Sequence, residues 1–209
     1  MLFNENGEIK QVSLESYPED SYPKLKEEAR QCKRCHLRQG CRQVVMGEGN
    51  TERKIMFVGE GPGADEDKQG RPFVGRAGRL LDKIFSAVDI SREEIYISNI
   101  IKCRPPENRT PTRDEMEACS PILSAEINLI EPKVIVPLGS TPLKFLVDDS
   151  LSITESRGNW FNKGDLYFLP TFHPAYLLRN SNMKKHVWQD FKLIKKSLVR
   201  IDELYGYNQ

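Results

Sequence analysis

The order of apolar runs along the chain constrains its fold more than any other feature. Four short runs, rich in β-branched and aromatic residues, have the length of buried strands; they cover residues 54–59, 94–101, 133–138 and 165–169. Apolar residues at helical spacing mark the stretches between and after them, at residues 78–88, 113–130, 140–147 and 182–205. This alternation predicts an α/β fold, a three-layer α/β/α domain around a central, mostly parallel four-stranded sheet.

The composition fits one folded domain preceded by an acidic leader. The chain has 209 residues, of which 38% are hydrophobic, so a core can form without disulfide bridges. No apolar run approaches the about 20 residues that cross a bilayer, and we expect a cytoplasmic protein without membrane contact. The 31 Lys and Arg residues balance the 30 Asp and Glu residues, but the basic ones concentrate in two segments, 30–54 and 176–200. We predict a leader at residues 1–22 and a single domain at residues 23–209.

The loops that follow the predicted strands are where a ligand is expected. Parallel sheets bind ligands outside the carboxyl ends of their strands. The loops at that edge are residues 59–75, 99–113, 139–142 and 172–180. Candidate functional residues are therefore sought in these four segments.

Three side chains at this edge form a set suited to a planar heterocycle. Phe73 lies in a loop bounded by proline and glycine, where an exposed aromatic ring is unfavourable unless it packs or stacks. Asn99 ends the second predicted strand, and His173 follows the fourth. A lone histidine is more often structural than catalytic, and the acidic glycine loop after the first strand could be a simple surface turn. That loop is too acidic to cradle a phosphate.

The five cysteines indicate either a metal site or plain burial. Cys32 and Cys35 form a CxxC pair, and Cys103 and Cys119 lie on a loop and the helix that follows it, from where they could converge on the pair. A disulfide framework is not expected in a cytosolic chain. Cys41 is assigned to plain burial. Four thiolates suit zinc or an iron-sulfur cluster, and the spacing alone does not decide between them.

Four segments together resemble the motif series of a known family. They read GEGPGADED at residues 59–67, GRPFVG at 70–75, SNIIKCRPPENR at 98–109 and HPAYLLRN at 173–180. This series is similar to that of the type-4, iron-sulfur uracil-DNA glycosylases, and the match extends from about Cys32 to the final helix. The family usually has Ala where Gly61 stands, which leaves a role of the main chain at this position intact.

The resemblance implies a fold, an activity and a cofactor. It implies a uracil-DNA glycosylase-like fold and a monofunctional glycosylase that flips uracil out of DNA and hydrolyses its N-glycosidic bond, which starts base excision repair. It also implies a four-iron four-sulfur (4Fe-4S) cluster bound by Cys32, Cys35, Cys103 and Cys119. The expected partner is uracil-containing DNA, single- or double-stranded, and the expected protein is a monomer that acts at the nucleoid.

Within the implied active site, Phe73 and Asn99 are expected to bind the base. Phe73 is expected to stack on the flipped uracil, as the resemblance implies. The Asn99 amide can accept from N3–H and donate to O4, a pattern that cytosine reverses. His173 is the candidate donor to O2, where negative charge develops as the bond breaks.

Two carboxylates and the glycine loop complete the predicted pocket. Better-known uracil glycosylases have an aspartate that orients water where this chain has Gly61. We therefore assign water positioning to Glu60 in preference to Glu66, and give Glu66 the C5 side of the base, where it excludes thymine. Glu60, Gly61 and Glu66 are thus predicted to bind substrate.

The predicted DNA contacts lie in two of the loops. Leu177 resembles the wedge with which the family fills the vacated stack. Arg104, Arg109 and Arg179 are suitable phosphate contacts, whose effect should fade with salt.

Three other classes of protein compete with this interpretation. A relative that forms a covalent adduct through an extra histidine is disfavoured because residues 104–109 contain no histidine. A non-enzymatic metal-containing DNA-binding module leaves Phe73 and His173 without a role. A phosphate-ester hydrolase with magnesium in the acidic loop lacks an identifiable partner carboxylate on a neighbouring strand end.

Overall fold

The computed structural model of the chain describes residues 21–205. Residues 1–20 of the predicted leader lie outside this range. The described chain begins with α1 (Ser21–Arg30), followed by α2 (Leu37–Gly40). Tyr22 in α1 accepts a hydrogen bond of 2.6 Å from the Tyr96 hydroxyl, so this helix packs directly against the body of the protein.

A mixed sheet forms the centre of the described residues. Its strands are β1 (Glu48–Gly49), β2 (Ile55–Gly59), β3 (Tyr96–Asn99), β4 (Val134–Pro137), β5 (Phe161–Lys163) and β6 (Leu166–Phe168). The order is β1-β3-β2-β4-β6-β5, in which β3, β2, β4 and β6 are parallel and the two outer strands are antiparallel.

The four predicted strands are confirmed as the parallel core, but the predicted strand number is wrong. The sheet has six strands, because β1 and β5 add one antiparallel strand at each edge. These edge strands are two and three residues long and only partly buried, so they lack the apolar run that marks a strand in the sequence.

The predicted helices are confirmed with small shifts in their bounds. They correspond to α4 (Arg76–Ala87), α5 (Arg113–Ile130), α6 (Ser140–Leu146) and α9 (Lys184–Tyr205). Five of the described helices were not predicted: α1 and α2 near the start of the described chain, and the short helices α3 (Ala64–Gln69), α7 (Ile153–Ser156) and α8 (Pro174–Arg179). Pro121 lies inside α5, which continues across it.

Alternate side chains of the central strands face two separate apolar layers. In β2, Met56 and Val58 belong to the layer that also contains Leu25 of α1 and Leu123 of α5. Ile55 and Phe57 belong to the opposite layer, with residues of α4 and α9. This alternation, with helices covering both faces, is the predicted three-layer architecture.

The register of the parallel strands brings the functional loops to one edge. Gly59 pairs with Asn99, and Val58 pairs with Pro137. Leu138 forms a bridge with Thr171, just before His173. The chain segments that leave β2, β3, β4 and β6 therefore emerge side by side.

Among the helices of residues 21–205, none combines the length and the apolar character needed to cross a membrane.

Candidate active site

A pocket opens at the carboxyl edge of the parallel strands. Its walls include all six residues predicted to bind substrate, namely Glu60, Gly61, Glu66, Phe73, Asn99 and His173. The structure thus brings together side chains from three loops that are far apart in the sequence.

Asn99 lines this pocket and has an unsatisfied acceptor in its side chain. The residue is 2% exposed. Its Oδ1 is buried and has no hydrogen-bond partner among the described residues. A buried acceptor without a partner costs about 1–3 kcal/mol. Such an atom at the wall of a pocket fits a ligand that supplies an N–H group.

Gly59 leaves the space that Asn99 and Phe73 occupy. A β-carbon at Gly59 would lie 2.4 Å from Asn99 Oδ1 and 2.5 Å from Phe73 Cζ. Both distances are far inside van der Waals contact, so a side chain here would displace two walls of the pocket. The sequence places Gly59 at the end of β2 but does not show that a side chain there would meet Asn99 and Phe73.

Phe73 has a strained main chain that its neighbours hold in place. Its φ of 52° lies in the left-handed region, which a bulky residue rarely adopts. The ring is buried beside His173, with 5.7 Å between the ring centroids and 34° between the planes. Arg92 donates to the carbonyls of Pro72 at 2.6 Å and Phe73 at 3.2 Å. Strain of this kind is concentrated at functional sites.

Glu66 holds the same loop from the other side. Its Oε1 accepts from the backbone amides of Val74 at 2.9 Å and Gly75 at 2.7 Å, and its Oε2 accepts from Gly63 at 3.1 Å. The carboxylate borders the pocket, but both of its oxygens are engaged by main-chain donors. Its observed contacts therefore stabilise the Phe73 loop and do not favour the alternative role of water positioning.

Glu60 is oriented by a residue that sequence reasoning did not single out. The Thr141 hydroxyl, in the first turn of α6, donates to Glu60 Oε2 at 2.5 Å. The loop at residues 139–142 was predicted to border the site, but nothing in the sequence distinguishes Thr141 from its neighbours. Only the packing of α6 against the end of β2 reveals the pair.

The ring of His173 has a defined tautomer. Its Nδ1 accepts a hydrogen bond of 3.1 Å from the Ala175 amide, so in the neutral ring the proton is on Nε2. Burial, with a smaller effect of nearby Arg179, lowers the pKa of His173 from 6.5 to about 4. Gly139 allows the close approach of this residue, since a β-carbon there would lie 2.9 Å from His173 Cβ. His173 is therefore a neutral Nε2–H donor at pH 7.

The predicted DNA contacts have different surroundings. Arg109 and Arg179 border the pocket. Arg104 lies on the same loop as Arg109, where its Nε donates to Asn108 Oδ1 at 2.7 Å.

The predicted wedge residue, Leu177, lies inside the protein in the described structure. Leu177 is 1% exposed and packs in the apolar layer between the sheet, α4 and α9. The short helix α8 turns this side chain inward, because its first turn caps directly on His173. The side chains on either side of it, Tyr176 and Leu178, are exposed, and Tyr176 borders the pocket.

The four predicted cluster ligands line a second cavity. Cys32, Cys35, Cys103 and Cys119 all form its walls, together with apolar residues of α2 and α5. Cys41 is not part of these walls, and its thiol donates to the Arg38 carbonyl at 3.6 Å. Within residues 21–205, no three His, Cys, Asp or Glu side chains are grouped closely enough to hold a single metal ion.

The donor set of this cavity fits a metal cluster. Burial raises the pKa of Cys119 to about 12 and also raises that of Cys103. Thiolates at these positions therefore need a compensating positive charge, which bound iron supplies.

An ion-pair network ties the cysteine segments together outside this cavity. Glu115, near the start of α5, accepts from Arg109 at 2.8 and 2.5 Å and from Thr112 at 2.7 Å. His36, next to Cys35, lies 2.9 Å from the same carboxylate. The hydrogen bond from Arg109 is the main cause that lowers the pKa of Glu115 to about 2. The loop after β3 is thereby fixed to both the CxxC segment and α5.

The fold and the pocket correspond to one superfamily of DNA-repair proteins. Residues 46–192 match the model of the Uracil DNA glycosylase superfamily. This segment contains all four parallel strands and every substrate-binding residue predicted above.

Similar proteins define the branch of that superfamily. A type-4 uracil-DNA glycosylase from Thermotoga maritima is 49% identical over 182 residues, which cover 84% of this chain and 94% of the relative. One from Sulfurisphaera tokodaii is 44% identical over 189 residues, 86% of each chain. A type-5 uracil-DNA glycosylase from Pyrobaculum aerophilum is 27% identical over 150 residues, 64% of this chain and 66% of the relative. The chain belongs to the type-4 uracil-DNA glycosylase family.

The first prediction concerns the space at Gly59. The substitution Gly59→Ala places a methyl group against Asn99 and Phe73, so we expect glycosylase turnover to fall by about a hundredfold, as misplacement by about 1 Å does in other enzymes. Gly40→Ala is the matched control, because a β-carbon there meets no atom within 4 Å. Single-turnover kinetics on folded protein measures both. Turnover of Gly59→Ala within about threefold of the wild type would contradict the tight contact.

The second prediction concerns the protonation of His173. Because its pKa is lowered to about 4, the ring should stay neutral from pH 8 to about 5. Below its ordinary value of 6.5 the unfolded chain gains a proton that the folded state does not, so this group favours unfolding as the pH falls toward 4. Long-range ¹H–¹⁵N spectra should show the Nε2-protonated tautomer at pH 7, with signals assigned by the His173→Gln variant. An imidazole that titrates near 6.5, or carries its proton on Nδ1, would refute this assignment.

Proposed function

We propose that the protein flips uracil out of DNA into the pocket at the sheet edge and hydrolyses its N-glycosidic bond. The observation that carries this proposal is the buried, unpartnered Asn99 Oδ1 beside Phe73 and a neutral His173. Uracil complements this set, since it offers an N3–H donor, carbonyl acceptors and a flat face. Three expectations stay predictions: that the protein is a monomer, that it acts on single- or double-stranded DNA, and that it is located in the cytoplasm.

Asn99 is proposed to read the base. With Oδ1 accepting from N3–H, its Nδ2 is available to donate to O4. Cytosine has an acceptor at N3 and a donor at C4, so it would leave polar groups unpaired in a buried site. A site built for one hydrogen-bonding pattern can reject the wrong one by about ten-thousandfold or more.

Phe73 is proposed to form the stacking surface. Its ring is held by Glu66 and Arg92 before any base enters, so little ordering remains to occur on binding. Its strained main chain is consistent with a ring kept in place for a ligand.

His173 is proposed to stabilise the leaving base. When the bond between C1′ and uracil N1 breaks, its electron pair leaves with uracil and negative charge develops on O2. The Nε2–H of His173 is a donor suited to that oxygen. A neutral ring keeps this donor without transferring a proton, and the Ala175 amide fixes its orientation.

Glu60 is proposed to position the water that completes hydrolysis. The water oxygen bonds to C1′ and releases a proton, which the Glu60 carboxylate is suited to accept. Thr141 holds that carboxylate at the pocket wall. This assignment follows because the oxygens of Glu66 are already engaged by amides.

DNA binding is assigned to the rim of the pocket. Arg109, Arg179 and Arg104 are proposed to contact phosphates, with an affinity that falls as salt rises. Leu177 stays the proposed side chain that fills the vacated stack, and Tyr176, which is exposed beside the pocket, is a second candidate for this role.

A 4Fe-4S cluster is proposed in the cysteine cavity. Cys32, Cys35, Cys103 and Cys119 would hold it, because all four line the same space and because burial disfavours the thiolates of Cys103 and Cys119 without a cation. When bound, it would brace three segments of chain without taking part in bond cleavage. The network of His36, Glu115 and Arg109 supports the same brace from outside.

The third prediction tests the function and the role of His173. A labelled oligonucleotide with one uracil, treated with alkali after incubation, should break only at that position, and a thymine oligonucleotide should stay intact. His173→Ala should lower turnover about a hundredfold to a thousandfold, because one preorganised donor to O2 is lost. His186→Ala, at an exposed position of α9, is the control. No break by folded, brown wild-type protein would reject the function. Near wild-type turnover of His173→Ala would reject only its role.

The fourth prediction tests the cluster. Cys103→Ala should lose the brown visible absorbance and melt more than about 5 °C lower, since about 2 kcal/mol corresponds to a shift of this size. Cys41→Ala is the matched control and should keep the absorbance, because Cys41 lies outside the cavity walls. Equal absorbance and melting temperature of Cys103→Ala and the wild type would contradict the ligand assignment.

A further inference from the structure

Lys102 is a buried cation to which the pocket chemistry assigns no role. Its side chain is 1% exposed. The ammonium donates to Ser98 Oγ at 2.7 Å, to the Asn99 carbonyl at 2.7 Å and to Glu126 Oε2 at 2.6 Å. An ammonium group has three protons, so each one has its own acceptor.

This residue lies between the cysteine cavity and the base pocket. Its backbone amide donates to Cys119 Sγ at 3.3 Å, and Lys102 itself lines the cysteine cavity. Its side chain reaches back to the carbonyl of Asn99, a residue that lines the base pocket. Lys102 therefore joins the wall of one cavity to the wall of the other.

The acceptor opposite Lys102 is itself rigidly held. Glu126 is fully buried in α5, and its Oε1 accepts from the Gly47 amide at 2.8 Å and the Tyr96 hydroxyl at 3.1 Å. Its Oε2 also accepts from Ser98 at 2.8 Å. A satisfied buried network of this kind fixes the position of each member.

The contact with Asn99 fixes the main chain at the pocket. Lys102 Nζ binds the carbonyl of the Asn99–Ile100 peptide, while the amide of Ile100 donates to Gly59 O at 2.9 Å. This peptide is thus held from both sides, and its orientation determines where the Asn99 side chain points. A free carbonyl would let the peptide rotate and carry Oδ1 away from the pocket.

We propose that Lys102 is a positioning residue for base recognition. It keeps Asn99 Oδ1 aimed into the pocket and links that orientation to the segment that contains Cys103 and Cys119. The inference rests on the proposed role of Asn99 in reading uracil.

The test is a double-mutant cycle between Lys102 and Asn99. Lys102→Met alone leaves the Glu126 carboxylate buried and unpaired, and this variant is expected to fold poorly. The double substitution Lys102→Met with Glu126→Gln removes both charges and keeps a similar side-chain volume. It therefore leaves no buried, unpaired charge. The pair is made in the wild type and in Asn99→Ala.

Three quantities are measured well below the melting temperature of each variant: kcat/KM, the inhibition constant for free uracil, and the visible absorbance. In the wild-type background the paired variant should lose about tenfold to a hundredfold in kcat/KM and bind uracil more weakly. In the Asn99→Ala background the further loss should be below about threefold, because the group being positioned is absent. The absorbance should be unchanged, since the amide that contacts Cys119 remains.

Two results would overturn the proposal. Equal losses in both backgrounds would mean that Lys102 does not act through Asn99, and no loss in the wild-type background would mean that it positions nothing. If Asn99→Ala by itself has full activity, the proposed reading of uracil is wrong instead.

Discussion

The close contact among Gly59, Asn99 and Phe73 is the constraint on which the rest of the site depends. Parallel pairing places Gly59 directly beside Asn99, and the missing side chain of Gly59 gives the Phe73 ring room against both. The result is a pocket wall in which a flat apolar face and a bare amide oxygen are adjacent. No single element supplies that combination, since it arises where the ends of two strands and one loop meet.

The loop that presents Phe73 is kept in an unfavourable conformation by polar contacts on both sides. Glu66 accepts from two amides that follow Phe73, and Arg92 donates to the carbonyls that precede them. Arg92 is in turn held by Asp82 at 2.8 Å and by Glu48 at 3.0 Å. Strain at a functional residue persists only where surrounding structure determines it in this way. The loop is thus shaped for binding before a base arrives.

The cysteine cavity and the base pocket are connected by one short segment of chain. Asn99 at the end of β3 is followed within four residues by Lys102 and Cys103. A movement of the main chain at the cysteine cavity can therefore displace the main chain at the pocket. On its outer side, Arg109 fixes the loop to Glu115. In the proposed mechanism, a bound cluster would therefore brace the loop that follows β3.

The sequence by itself determined the parallel core, the long helices and the set of residues at the pocket, because apolar periodicity and the family motifs are local properties. It missed β1 and β5, which exist only by pairing with a neighbour, and it did not show that Leu177 is buried, which depends on how α8 packs against the sheet. Only the tertiary structure decided which proton His173 carries, through the Ala175 amide, and which partner the Lys102 ammonium has. The His173 tautomer depends on how the chain turns between His173 and Ala175, and the Lys102 network depends on Glu126, which is remote in the sequence. Residue type encodes neither arrangement.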